Sequence, residues 1–338
     1  MTRRILLTGL LAATIAVPVS AQEGRNEQFY YPGDFNWRFL ERYQAAGRLF
    51  NAFDHGHAVL YERLHATRDS ARAAQALDRE YRYLTTDLLV RPPRFAIAEE
   101  AIAPRYARFA WRAKAVFDWA HVLHRQIYDA YADERLTEAA RDSLIERLTD
   151  YYLSNRRLAL LPLPKSMALM DRQPYSLAFK ERYPAFNGLI WGYHWLQVGL
   201  YDALLAGRTA EERRANVDWA VERFRAMLAD PPRSMPQVMP MTAAIAPEFT
   251  RRHPRAAAIF DNLHMLHDII SDILVSDRVP PDGRRAAIDT ALDEFQSAAA
   301  NVMTDADWHG MAGMMGGLDA MGGSAVRSAA EPATHQHH

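Results

Sequence analysis

The 338-residue chain contains no cysteine. That absence removes disulfides, thiolate zinc sites, iron–sulfur clusters and covalently attached c-type haem together, so any metal must be held by histidine, carboxylate or methionine. Lysine is scarce as well: three of the 40 basic residues, against 37 arginines. The formal charge is −1 and the basic residues are dispersed, which leaves no electrostatic footprint for nucleic acid. No segment alternates with period two for long enough to argue a sheet. No G-x-S-x-G elbow, P-loop or G-x-G-x-x-G fingerprint occurs. Long apolar runs are missing too. The longest, Ile5–Val17, has 13 residues, short of the roughly 20 a membrane span needs. Arg3 and Arg4 precede it and Val19-Ser20-Ala21 follows. That order predicts a signal peptide over 1–21, a mature chain starting at Gln22, and a periplasmic or secreted protein.

What is present is helical periodicity. After a polar leader (22–35), patterns of period 3.6 run over about 36–65, 69–90, 104–131, 137–160, 188–206, 209–229, 254–276 and 282–303. Pro92-Pro93 stops the second and Pro104 opens the third, as a first-turn proline should. Thr209 and Glu212 form a capping box at the sixth. The reading is an all-α domain (36–303) of eight helices in four αα-hairpins, followed by a Gly/Met/His-rich tail (304–338) that lacks the periodicity of a packed element.

The motif F-D-x-x-H occurs at 53–57, 117–121 and 260–264, and the last two copies extend to FDWAHVLHRQIYD and FDNLHMLHDIISD, identical at seven of thirteen positions. This is the mark of an internal repeat. Trp191-Gly192-Tyr193-His194 holds the corresponding place in the fifth helix. His57, His121, His194 and His264 are then 64, 73 and 70 residues apart, one hairpin per repeat. Simple up-and-down alternation makes the four odd-numbered helices parallel and places them in an inner, His/Asp-lined bundle. Asp54, Asp118 and Asp261 lie one turn before a histidine, and His124, His267 and His65 extend the stripe. Eight residues on, Asp129, Asp202, Asp272 and His65 predict a second level about 12 Å along the axis. His55 and His253 fall off this pattern.

Apolar residues flank the stripe, so several carboxylates approach a buried face, which is costly unless something cationic compensates. Metal ions, protonated histidines and inter-helix Asp–His pairs are the candidates. Asp118-x-x-His121, Asp261-x-x-His264 and Glu62-x-x-His65 are similar to the E-x-x-H pairs from which ferritin-like bundles build dinuclear sites, with Asp for Glu in two; the similarity covers those triplets only. The expected ligands are His57, His121, His194, His264, Asp54, Asp118 and Asp261, with His124, His267 and His65. The tail adds Met311, Met314, Met315, Met321, His309, His335, His337 and His338. Thioether and imidazole on a flexible arm favour copper, with iron and zinc as alternatives. In composition such a tail resembles those of periplasmic copper-handling proteins. The sequence thus predicts an exported metal-binding helical protein with a copper-collecting tail. The rival is a non-catalytic exported scaffold, or an accessory subunit of a membrane-bound complex, whose stripe is only a polar core network.

Overall fold

The computed structural model describes residues 37–66 and 70–327; the signal peptide, the leader and His335, His337 and His338 lie outside them. The protein is all-helical, and no strand occurs among the described residues. Eight long helices carry the fold: α1 Gln44–Ala66, α2 Ser70–Tyr83, α3 Trp111–Ala132, α4 Glu138–Ser154, α5 Pro184–Leu205, α6 Ala210–Met227, α7 Pro254–Val275 and α8 Arg284–Phe295. Local chemistry sets their starts. Pro184 and Pro254 occupy the first turn of α5 and α7, Thr137 caps α4, and Thr209 with Glu212 closes a capping box on α6. No described helix is long and apolar enough to cross a membrane.

The odd-numbered helices are buried on nearly every side, and each packs against the even-numbered helix that follows it. They also meet one another: α1 and α3 each touch α5 and α7. Side-chain register corrects the expected parallel orientation. Phe50 meets Tyr128 and Tyr61 meets Phe117, so α1 and α3 run antiparallel. Trp191 meets Asp268 and Tyr201 meets Phe260, so α5 and α7 do as well.

Each odd helix is preceded by a helix of five or six residues: Arg38–Arg42, Pro104–Phe109, Ala178–Arg182 and Pro247–Arg252. A single residue breaks each pair with φ between −121° and −134° and ψ between 48° and 60°: Tyr43, Ala110, Tyr183 and His253. These recurring breaks give the true alignment of the repeats. Eleven residues on stand Asp54, His121, His194 and His264; fourteen on, His57, His124, Gln197 and His267; nineteen on, Glu62, Asp129, Asp202 and Asp272. The first F-D-x-x-H copy is therefore one turn out of register with the others.

The nineteenth position explains why the predicted second level does not exist. Those residues sit at the C-terminal ends of helices pointing in opposite directions, where each caps a short helix. Asp129 accepts from Trp37 N and Phe39 N, and Glu62 from Arg105 N and Tyr106 N. Asp272 accepts from Leu177 N and Phe179 N, and Asp202 from Glu248 N and Phe249 N. A carboxylate at a helix N-terminus satisfies backbone donors that otherwise lack partners. The capping is reciprocal within α1/α3 and within α5/α7, which divides the molecule into two clasped halves.

The halves also correspond in the spacing of their elements along the chain. Gln44 corresponds to Pro184, an offset of 140, and Trp111 to Pro254, an offset of 143. The second offset also maps the short helix Glu99–Ile102 onto Thr242–Ile245.

The tail expectation fails over 304–327. Thr304 caps a helix, Asp305–Met314, whose Trp308 is 2% exposed and donates its indole N–H to Asp261. Met321 and Ala325 are fully buried, and Arg223 and Trp195 donate to the carbonyls of Gly322 and Gly323. Both glycines have positive φ, 104° and 82°, a conformation that side chains disfavour. The sequence looked aperiodic because this segment is anchored by single large residues and glycine turns rather than by an amphipathic stripe.

Candidate metal centre

Six histidines from four helices converge at mid-bundle: His57 (α1), His121 and His124 (α3), His194 (α5), His264 and His267 (α7), none more than 3% exposed. Antiparallel helices still bring them together because each histidine lies near its helix's midpoint. The rings of His57 and His267 are 4.6 Å apart, those of His57 and His194 5.5 Å, and those of His194 and His264 are stacked nearly parallel at 4.0 Å. His121 stands 6.3 Å from His57 and 5.7 Å from His267, and His124 5.9 Å from His264. Phe260 stacks on His124 at 3.6 Å and Phe117 meets His267 edge-on at 4.1 Å, so the surroundings are apolar.

Burial in such a medium penalises the imidazolium form. It pushes His57 down to about 4, holds His121 below its usual value, and holds His124, His194, His264 and His267 well below theirs. At neutral pH the cluster is thus a set of uncharged imidazoles, the form that binds metals.

Their hydrogen bonding is incomplete. His57 Nδ1 donates to the carbonyl of Phe53 (2.9 Å), His121 Nδ1 faces Asp54 (3.4 Å), and His124 Nδ1 lies 2.5 Å from the Tyr201 hydroxyl. For His57 this assigns the proton to Nδ1 and leaves a lone pair on Nε2. Among the described residues, Nε2 of His57, His121, His124 and His267, Nδ1 of His194 and both nitrogens of His264 have no hydrogen-bond partner. So do the amide nitrogen and oxygen of Gln197, the seventh member of the layer. At about 1–3 kcal/mol per unsatisfied buried group, the total rivals the roughly 5–15 kcal/mol that holds a domain folded. A ligand bound to any of these nitrogens removes that nitrogen's share of the cost.

One nitrogen from each of His57, His194 and His267 can be chosen so that all three lie within 4.8 Å of one another. His267 Nδ1 and His194 Nε2 share a hydrogen bond of 3.2 Å, a separation that is also close to the edge of about 3.3 Å expected for tetrahedral ligands at about 2.0–2.1 Å from zinc. A second group of this kind, Asp54, Glu99 and His121, lies at the wall of a cavity of about 810 Å³.

The carboxylates are differently placed from the sequence expectation. Asp118 pairs with Lys114 at 2.5 Å, and Asp261 accepts from Thr242 N and Trp308 Nε1, so neither joins the imidazoles. His65 stacks on Phe109 at 4.2 Å, outside the cluster. Asp54 is the exception: it contacts His121 and receives the guanidinium of buried Arg125 at 2.6 Å. Backbone caps, indoles and two cations therefore compensate the carboxylates. It is individual ring nitrogens of the imidazoles that lack partners. Sequence reading missed Glu99, Gln197 and the capping role of Glu62; the repeat Phe39-x-Glu41-Arg42-Tyr43 and Phe179-x-Glu181-Arg182-Tyr183 carried the signal that aligns them.

No protein-family model matches the chain, and neither does any curated protein or solved structure.

Proposed function

We propose that this is an exported metal-binding protein, four αα-hairpins enclosing a buried transition-metal centre held by His57, His194 and His267, with His264, His121 and His124 packed about it. The observation that carries the reading is the set of unpartnered, uncharged ring nitrogens at the middle of the bundle. Without thiolates, an imidazole set binds copper(II) most tightly in the divalent series and accepts zinc and iron. The copper preference no longer rests on a free methionine arm, since Met311 and Met321 are packed in the fold.

Elemental analysis of protein purified from its native compartment should find a stoichiometric metal. His267→Ala and His194→Ala should each lose it, while His65→Ala retains it. No metal in the wild type under any loading condition would leave a polar-cored scaffold, the accessory-subunit reading. The pH dependence is specific. Protons compete with a metal only where the folded ligands themselves titrate, and His57 does so near 4 rather than 6.5. The metal should therefore stay bound at pH 5.5 and begin to be displaced only as pH falls below about 4; release near 6.5 would mean solvated ligands instead. Export is checked by N-terminal sequencing, with Gln22 as the expected first residue.

A further inference from the structure

We infer that Asp54, Glu99 and His121 form a second, cavity-facing divalent-cation site, distinct in donor chemistry from the imidazole centre and not dependent on it. Two carboxylates and one imidazole make a harder donor set than three imidazoles, suited to manganese or magnesium. The donor atoms lie within 4.8 Å of one another, and all three residues line the same cavity of about 810 Å³. Two of them are deeply buried: Asp54, 5% exposed, whose Oδ1 has no hydrogen bond and lies 3.4 Å from His121 Nδ1, and His121 itself, 3% exposed.

The charge balance points the same way. Four carboxyl groups, Asp54, Glu99, Glu100 and Asp118, gather around two cations, Arg125 and Lys114. Glu41, Arg48 and Arg94 line the same cavity, so in all five carboxyl groups stand against four cations around it, an excess of one negative charge.

Comparison of the halves supports a specific opening. The offset of 143 places Thr242, Ala243 and Ala257 where the first half has Glu99, Glu100 and Lys114. In the second half, Asp261, the counterpart of Asp118, is covered by Trp308 of the C-terminal segment. One half is closed by the chain's own apolar residues; the other presents charged groups around a cavity wide enough for a cation with water or a small anion on its open side.

The probe is Mn²⁺, titrated into the His267→Ala protein so that the imidazole centre does not contribute, with free Mn²⁺ read by electron paramagnetic resonance. We expect one ion per chain. Glu99→Gln should weaken binding at least tenfold, and Lys114→Gln, which removes the competing ammonium, should tighten it. These opposite signs separate a site effect from a folding defect common to both variants. Unchanged affinity in Glu99→Gln, no tightening in Lys114→Gln, or no stoichiometric Mn²⁺ in the His267→Ala background would each overturn the assignment. None of these outcomes bears on whether the wild type holds metal in the imidazole centre.

Discussion

A chain ending at Met303 should be unfolded at room temperature or melt more than 10 °C below the full-length protein. Removing the C-terminal segment strips away Trp308, Met311, Met321 and Ala325, all buried. It also deprives the fully desolvated Asp261 of its indole donor and leaves Arg223 and Trp195 without the carbonyls they bond. Loss of one buried Trp costs about 3–5 kcal/mol. For a domain of this size each kcal/mol shifts the melting temperature by about 2–4 °C. Differential scanning calorimetry on both chains measures the difference. A shift under about 2 °C would show that residues 304–327 are an appendage, as the composition suggested.

The second large effect is expected at Arg125. Its guanidinium bonds Asp54 at 2.6 Å and Asn51 at 3.0 Å, lies 4.5 Å over the Phe50 ring, and is 8% exposed. Removing one partner of a buried pair leaves the other as an uncompensated charge, which typically costs about 3–5 kcal/mol. Arg125→Met should thus lower the melting temperature of the metal-free protein by on the order of 10 °C. The double variant Arg125→Met with Asp54→Asn should recover part of that, because the stranded carboxylate is gone. No recovery would assign the loss to packing against Phe50 rather than to the ion pair.

The helical class and the rows of histidine were readable because proline, capping residues and the 3.6 period act locally. Two errors had a common physical cause. A repeated motif fixes register only if every copy sits at the same depth in its helix. Phe53-Asp54-His55-Gly56-His57 does not; the breaks at Tyr43 and Ala110 show it shifted by one turn. Those breaks are invisible to periodicity, since a single residue with ψ near 60° interrupts the backbone without interrupting the apolar pattern. Orientation was misjudged for a related reason. Short helices and one-residue breaks redirect each odd helix, so counting hairpins could not give its direction. The convergence of imidazoles survived both errors, because a residue at a helix's midpoint stays at mid-bundle whichever way the helix points. Glu99 was out of reach for a different reason: it comes from a four-residue helix in a connecting segment, with no stripe to betray it.

The reciprocal caps have a mechanical consequence. Asp129 with Glu62, and Asp272 with Asp202, lock each half onto itself at both ends, and none of these bonds crosses from one half to the other. His57, His121 and His124 belong to one half; His194, His264 and His267 belong to the other. A metal held as proposed by His57, His194 and His267 would therefore be a rivet through the seam between two self-fastened bodies, and parting along that seam would release it without undoing either body's own clasps.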